Sequence, residues 1–83
     1  MFIPSSKELA LCVINQRKKL KLSQAEAGDR VGLKQQTISA FENKPEGTRI
    51  DTLFRILSAV NLDVSLTSKD KTTTHAAPWT EEW

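Results

Sequence analysis

Ser23-Gln24-Ala25-Glu26-Ala27-Gly28-Asp29-Arg30-Val31-Gly32-Leu33-Lys34-Gln35-Gln36-Thr37-Ile38-Ser39-Ala40-Phe41-Glu42-Asn43 reads as two short helices and the turn between them. Ser23 can cap a helix, and Glu26, three residues on, completes a capping box. Gly32 ends that helix after Val31, because glycine takes a positive φ at a helix C-terminus at least cost. A second helix follows near Gln35 to Asn43. Its apolar members Ile38 and Phe41 are three apart and share a face. The other face carries Gln35, Gln36, Thr37 and Ser39, all hydrogen-bonding and none charged. With Gln24 as first position, Gly28 is fifth, Gly32 ninth, Ile38 fifteenth and Phe41 eighteenth. Gly28 then falls where a tiny side chain lets the two helices approach. Glycine there costs about 1 kcal/mol of helix stability relative to alanine.

Working outward, Ser5-Ser6-Lys7-Glu8 reads as another capping box. Leu9, Val13, Ile14 and Leu20 then recur near helical spacing, with Ala10 and Cys12 beside them, predicting a helix over about 6–20. On the other side, Asn43-Lys44-Pro45-Glu46-Gly47 is a turn by composition. Thr48, with Asp51 in the box position, is expected to cap a fourth helix over about 50–60, whose apolar face is Leu53, Phe54, Ile56, Leu57 and Val60. Leu62-Asp63-Val64-Ser65-Leu66-Thr67 alternates strictly, the pattern of a half-buried strand. No second stretch of that kind occurs, so the simplest partner is the same strand of a second chain. From Ser68 the chain turns polar. Residues 1–67 are expected to form the domain and 68–83 a flexible tail containing Trp79 and Trp83.

With 83 residues, 39% hydrophobic and 6% aromatic, the chain has room for one domain with a small aliphatic core. The net charge of +2 argues against an extended polyelectrolyte. The basic excess lies before residue 22, in Lys7, Arg17, Lys18, Lys19 and Lys21 against Glu8. Such a cluster can touch phosphates, but taken alone it reads first as a solvated helix end. The single cysteine, Cys12, excludes a disulfide scaffold, fits a reducing cytoplasm and is expected in the core of the first helix. One histidine (His75) and one cysteine make neither a metal site nor a nucleophile–base pair, so no enzyme, metal or cofactor is expected. The apolar stretch Leu9 to Ile14 is far short of the roughly 20 residues that span a bilayer. Met1-Phe2-Ile3-Pro4 lacks the pattern of a signal peptide. The expected location is cytoplasmic, at the nucleoid.

Two helices joined by a short glycine turn suggest a helix-turn-helix. Residues 22–43, and more loosely about 7–61, resemble the Cro/phage-repressor (XRE) helix-turn-helix family. The resemblance implies an all-α, lambda-repressor-like helix-turn-helix domain of four helices; where most phage repressors continue with a fifth helix, this chain is expected to have one short C-terminal strand pairing across a dimer. It places the second helix of the motif in the major groove of double-stranded operator DNA, with Lys34, Gln35, Gln36, Thr37 and Ser39 meeting base edges. Phosphate contacts fall to Gln24 at a helix N-terminus, to Asn43 and Lys44, and more diffusely to Lys18, Lys19 and Lys21. Arg17 and Glu42 match an ion pair that ties the first helix to the third in many such domains. Ala27 departs from the pattern, since the family often carries leucine there.

The C-terminal part is similar to the HipB antitoxin group. The shared residues are Lys34-Gln35-x-Thr37-Ile38-Ser39-x-Phe41-Glu42-Asn43, the run Phe54-x-Ile56-Leu57, and the closing Glu82-Trp83. That resemblance implies a homodimer joined through the strand bearing Leu62, Val64 and Leu66. It also implies a HipA-type serine/threonine kinase toxin as partner, with Trp83 as a toxin contact. A stand-alone phage-type repressor without a toxin is the alternative.

Overall fold

A computed structural model describes residues 3–68. Four α-helices lie among them: α1 (Ser6–Lys19), α2 (Gln24–Val31), α3 (Gln35–Asn43) and α4 (Ile50–Ala59), with a 3-10 turn at Pro45–Gly47. The helix starts differ in strength. At α2 the full capping box forms: Ser23 Oγ accepts from the Glu26 N–H at 3.0 Å and Glu26 accepts from the Ser23 N–H at 2.8 Å. At α1 Ser5 accepts from the Glu8 N–H at 3.2 Å. The expected cap of α4 is corrected. Arg49, not Thr48, is the N-cap residue, and it makes no side-chain capping bond. Asp51 turns instead to Arg49 at 3.3 Å and to the Thr52 N–H at 3.0 Å.

Three helices end in the same way. Lys21, Gly32 and Asn61 have φ of 62°, 72° and 61°. The leucine after each sends its N–H back five residues: Leu22 to Arg17, Leu33 to Gly28 and Leu62 to Leu57, at 3.1, 2.9 and 2.9 Å. This is the Schellman closure, in which an apolar residue just past the left-handed one folds back over the helix. Each closure turns the chain sharply and returns a leucine toward the interior; Leu33 and Leu62 pack against the core.

The core joins Ala10 and Val13 of α1, Ile38 and Phe41 of α3, and Ile56, Leu57 and Val60 of α4 and its end, with Leu9, Leu20, Leu33, Leu53 and Leu62 packed around it. Gln16 of α1 adds a polar tie, donating to the Val60 carbonyl at 3.1 Å. Two expected core members lie elsewhere. Phe54 is 53% exposed, and Cys12 is only half-buried. Both sit at the edge of their helix's apolar stripe, where spacing alone does not decide burial. Residues 62–68 form no strand in the single chain, and Val64 and Leu66 are exposed. The expected tail with Trp79 and Trp83 lies outside the described residues, apart from Ser68.

Candidate nucleic-acid interface

Gly28 sets the angle between α2 and α3. A β-carbon there would fall on the carbonyl oxygen of Leu33 and stand 3.5 Å from Ile38 Cγ1. The helix that follows is therefore seated directly on α2, with Ile38 and Phe41 buried beneath it. That orientation leaves Lys34, Gln35 and Gln36 exposed and Thr37 and Ser39 half-buried along the outer side. Lys34 is the N-cap residue of α3, and its ammonium, which can only donate, makes no capping bond. The five residues expected to read bases thus lie at the N-cap and in the first two turns of α3. Ala27, the departure from the family pattern, is 1% exposed.

A polar hub stands behind that helix. Glu42 Oε2 accepts from Arg17 Nε at 2.7 Å, and Glu42 Oε1 accepts from Arg17 Nη2 at 3.1 Å. Arg17 Nη1 also donates to the Leu22 carbonyl at 2.9 Å. The expected ion pair between the first and third helices is present, and it is deep: the side chains are 12% and 6% exposed. Glu42 occupies the last turn of α3, the end where the helix dipole disfavours an anion. The fork of Arg17 offsets that misplacement.

The hub also engages a residue expected at phosphate. Gln24 donates its side-chain amide to Glu42 Oε1 at 2.9 Å, and its own Oε1 accepts from Gln35 at 3.4 Å. Asn43 donates to Ser39 Oγ at 3.3 Å. Lys18, Lys19 and Lys44 are exposed. Lys18 and Lys19 close α1, while Lys44 follows α3.

A groove of about 320 Å³ runs beside the outer side of α3. Gln36, Thr37 and Ala40 form one wall; Thr48, Arg49 and Thr52 belong to the other. Arg49 and the two threonines were not among the site residues expected from the sequence. Their signal there was slight: Thr48 read as a cap, and nothing marked Arg49 as a neighbour of the third helix. No cluster of potential metal ligands occurs among the described residues. No described helix is long and apolar enough to cross a membrane.

A helix-turn-helix family model matches residues 13–66. The chain is 37% identical over 62 residues to Antitoxin HipB of Escherichia coli O6:H1 strain CFT073, a match covering 74% of this chain and 66% of that protein. Two solved structures are similar at 34% identity, each covering 84% of this chain and 99% of the other. One is described as a HipB–O4 20mer complex, with a TM-score of 0.79. The other is described as a HipA–HipB–O2–O3 complex, with a TM-score of 0.80.

Proposed function

The chain belongs to the helix-turn-helix family, in its HipB-like branch, and from that premise we propose that it is a dimeric antitoxin and transcriptional repressor. It binds palindromic operator DNA and neutralises a HipA-type serine/threonine kinase toxin. The observation that carries the DNA reading is the face of α3. Its apolar residues are buried, and its outer side presents Lys34, Gln35 and Gln36 to solvent without an acidic group among them. Gln pairs with adenine, Lys donates to guanine and Thr meets the thymine methyl. Asn43, Lys44, Lys18 and Lys19 hold the backbone from the flanks, with Gln24 at the start of α2.

Homodimerisation follows from Leu62, Val64 and Leu66. Alternate residues of an extended segment share a face, and a strand needs a ladder partner. A second copy supplies both. The HipA–HipB–O2–O3 assembly among the similar structures supports the toxin as second partner. Trp83, outside the described residues, is the proposed toxin contact, because one buried tryptophan can anchor an interface.

Footprinting of the purified full chain on its own upstream DNA tests the reading. The expected result is two protected half-sites about one helical turn apart, roughly 34 Å. A single unrepeated site, or a monomer by sedimentation at micromolar concentration, would contradict it. Deleting Trp83 is expected to weaken toxin co-purification and spare the footprint.

A further inference from the structure

Two neighbouring residues of α1 hold two different parts of the molecule. Arg17 holds α3 through Glu42. Gln16, about 100° round the helix from it, donates its side-chain amide to the carbonyl of Val60, 44 residues on, at 3.1 Å. Val60 is the C-cap residue of α4 and is 1% exposed. A carbonyl at that end of a helix has no partner within it, and here α1 supplies one. The same peptide group is held at its other pole, since the Asn61 N–H donates to the Ser58 carbonyl at 3.1 Å. The Val60–Asn61 peptide is thus tied to α1 on one side and to α4 on the other. The chain turns there, with Asn61 at φ 61°, and after Leu62 it runs out along the exposed residues 63–67.

We infer that Gln16 is a positioning residue for the assembled dimer: by fixing the plane of the Val60–Asn61 peptide it sets the direction in which residues 62–67 leave the domain, and with it the separation of the two α3 helices. The inference rests on the proposed dimeric operator reading. The lever is long enough to matter. From Leu62 to Leu66 an extended chain covers about 13 Å. A change of about 15° at its root, within the scatter of ordinary backbone dihedrals, swings the far end by about 3 Å, nearly one base-pair step of roughly 3.4 Å. The first helix is then the common reference for reading and pairing: Arg17 locates α3 on it, and Gln16 locates the pairing segment. A carbonyl only accepts, so what the position requires is a donor.

The test uses the full chain and duplexes carrying the two half-sites found by footprinting, at their natural spacing and one base pair closer or farther, with a single half-site as control. Affinities are read by fluorescence anisotropy at one salt concentration, and the parent is expected to prefer the natural spacing. Gln16→Met keeps the length and loses the donor; Gln16→Glu keeps the shape and only accepts. Each should keep the parent's circular dichroism and lower the preference for the natural spacing by about threefold or more, the scale of one neutral hydrogen bond. A general effect of charge acts on all duplexes alike and cancels in that ratio. Gln16→Lys restores a donor and should keep the parent's ratio. A preference retained in Gln16→Met or Gln16→Glu overturns the inference. So does a preference lost equally in Gln16→Lys, which would assign the effect to packing rather than to the donor. A dimeric parent that binds all three spacings alike leaves Gln16 nothing to set and overturns it too. A parent that is a monomer, or that binds one half-site as tightly as two, overturns instead the dimeric operator reading itself.

Discussion

Gly28→Ala sets two physical effects against each other, and the structure decides the sign. On helix propensity alone the change stabilises α2 by about 1 kcal/mol. The new methyl, however, falls on the Leu33 carbonyl oxygen. That obstacle is backbone, so no rotamer change removes it. Relief requires α2 and α3 to part, which stretches the Leu33 N–H bond to the Gly28 carbonyl, now 2.9 Å, and disturbs Ile38. Overpacking of this kind costs about 1–3 kcal/mol and a strained hydrogen bond about 1 more. The net expectation is a loss of about 2 kcal/mol, which is a large share of the stability of a small domain. Urea titration at fixed protein concentration reads it as a lower midpoint, and thermal melting as a fall of roughly 10 °C. Affinity for DNA should fall as well at temperatures where the variant is folded, because α3 has been tilted. A variant as stable as the parent, or more so, would refute the packing account.

Arg17→Met leaves Glu42 charged and buried with Gln24 as its remaining side-chain partner, and should cost about 3–5 kcal/mol in urea titration; a loss below about 1 kcal/mol would show that the pair does not hold α1 to α3. Lys21→Gly should gain about 1 kcal/mol, because Lys21 sits at φ 62°, where a β-carbon is strained; an unchanged midpoint would mean that the unfolded chain's added freedom cancels the gain. Lys18→Ala and Lys19→Ala should each weaken DNA binding on all sequences alike and lower the slope of log affinity against log salt by about 1. A slope equal to the parent's would return these lysines to the role of a solvated helix end.

The helix pattern was readable because local signals agree with the packing. Ser23 with Glu26, and Gly32 with the apolar pair Ile38 and Phe41, point to the same two helices, and these form as expected. The Schellman ends at Lys21 and Asn61 were hidden, since neither residue is glycine and the leucine that follows reads simply as apolar. Thr48 misled for a related reason: a hydroxyl near a helix start is a frequent cap, but the chain enters α4 one residue later. At the site, the Arg17–Glu42 pair was legible through a family resemblance. The engagement of Gln24 and Gln35 by that pair was not, because it depends on how residues 18 and 11 apart in the chain meet across helices. The neighbourhood of Arg49 and Gln36 is likewise a product of the turn at Pro45–Gly47.

Coupling between fold and reading follows from where the polar groups are spent. Among the described residues no buried side-chain nitrogen or oxygen lacks a partner, and the deepest ion pair is the one behind α3. The side chains that hold α1 against α3 therefore also engage Gln24, which in turn accepts from Gln35. On the proposed operator reading, a change at Arg17 or Glu42 is expected to lower stability and DNA binding together. Lys34 and Gln36 stand outside that hub, and both are exposed. On the proposed operator reading, substitutions at those two positions cost the fold least. Gln35 is the intermediate case, because its amide also donates to Gln24 at 3.4 Å.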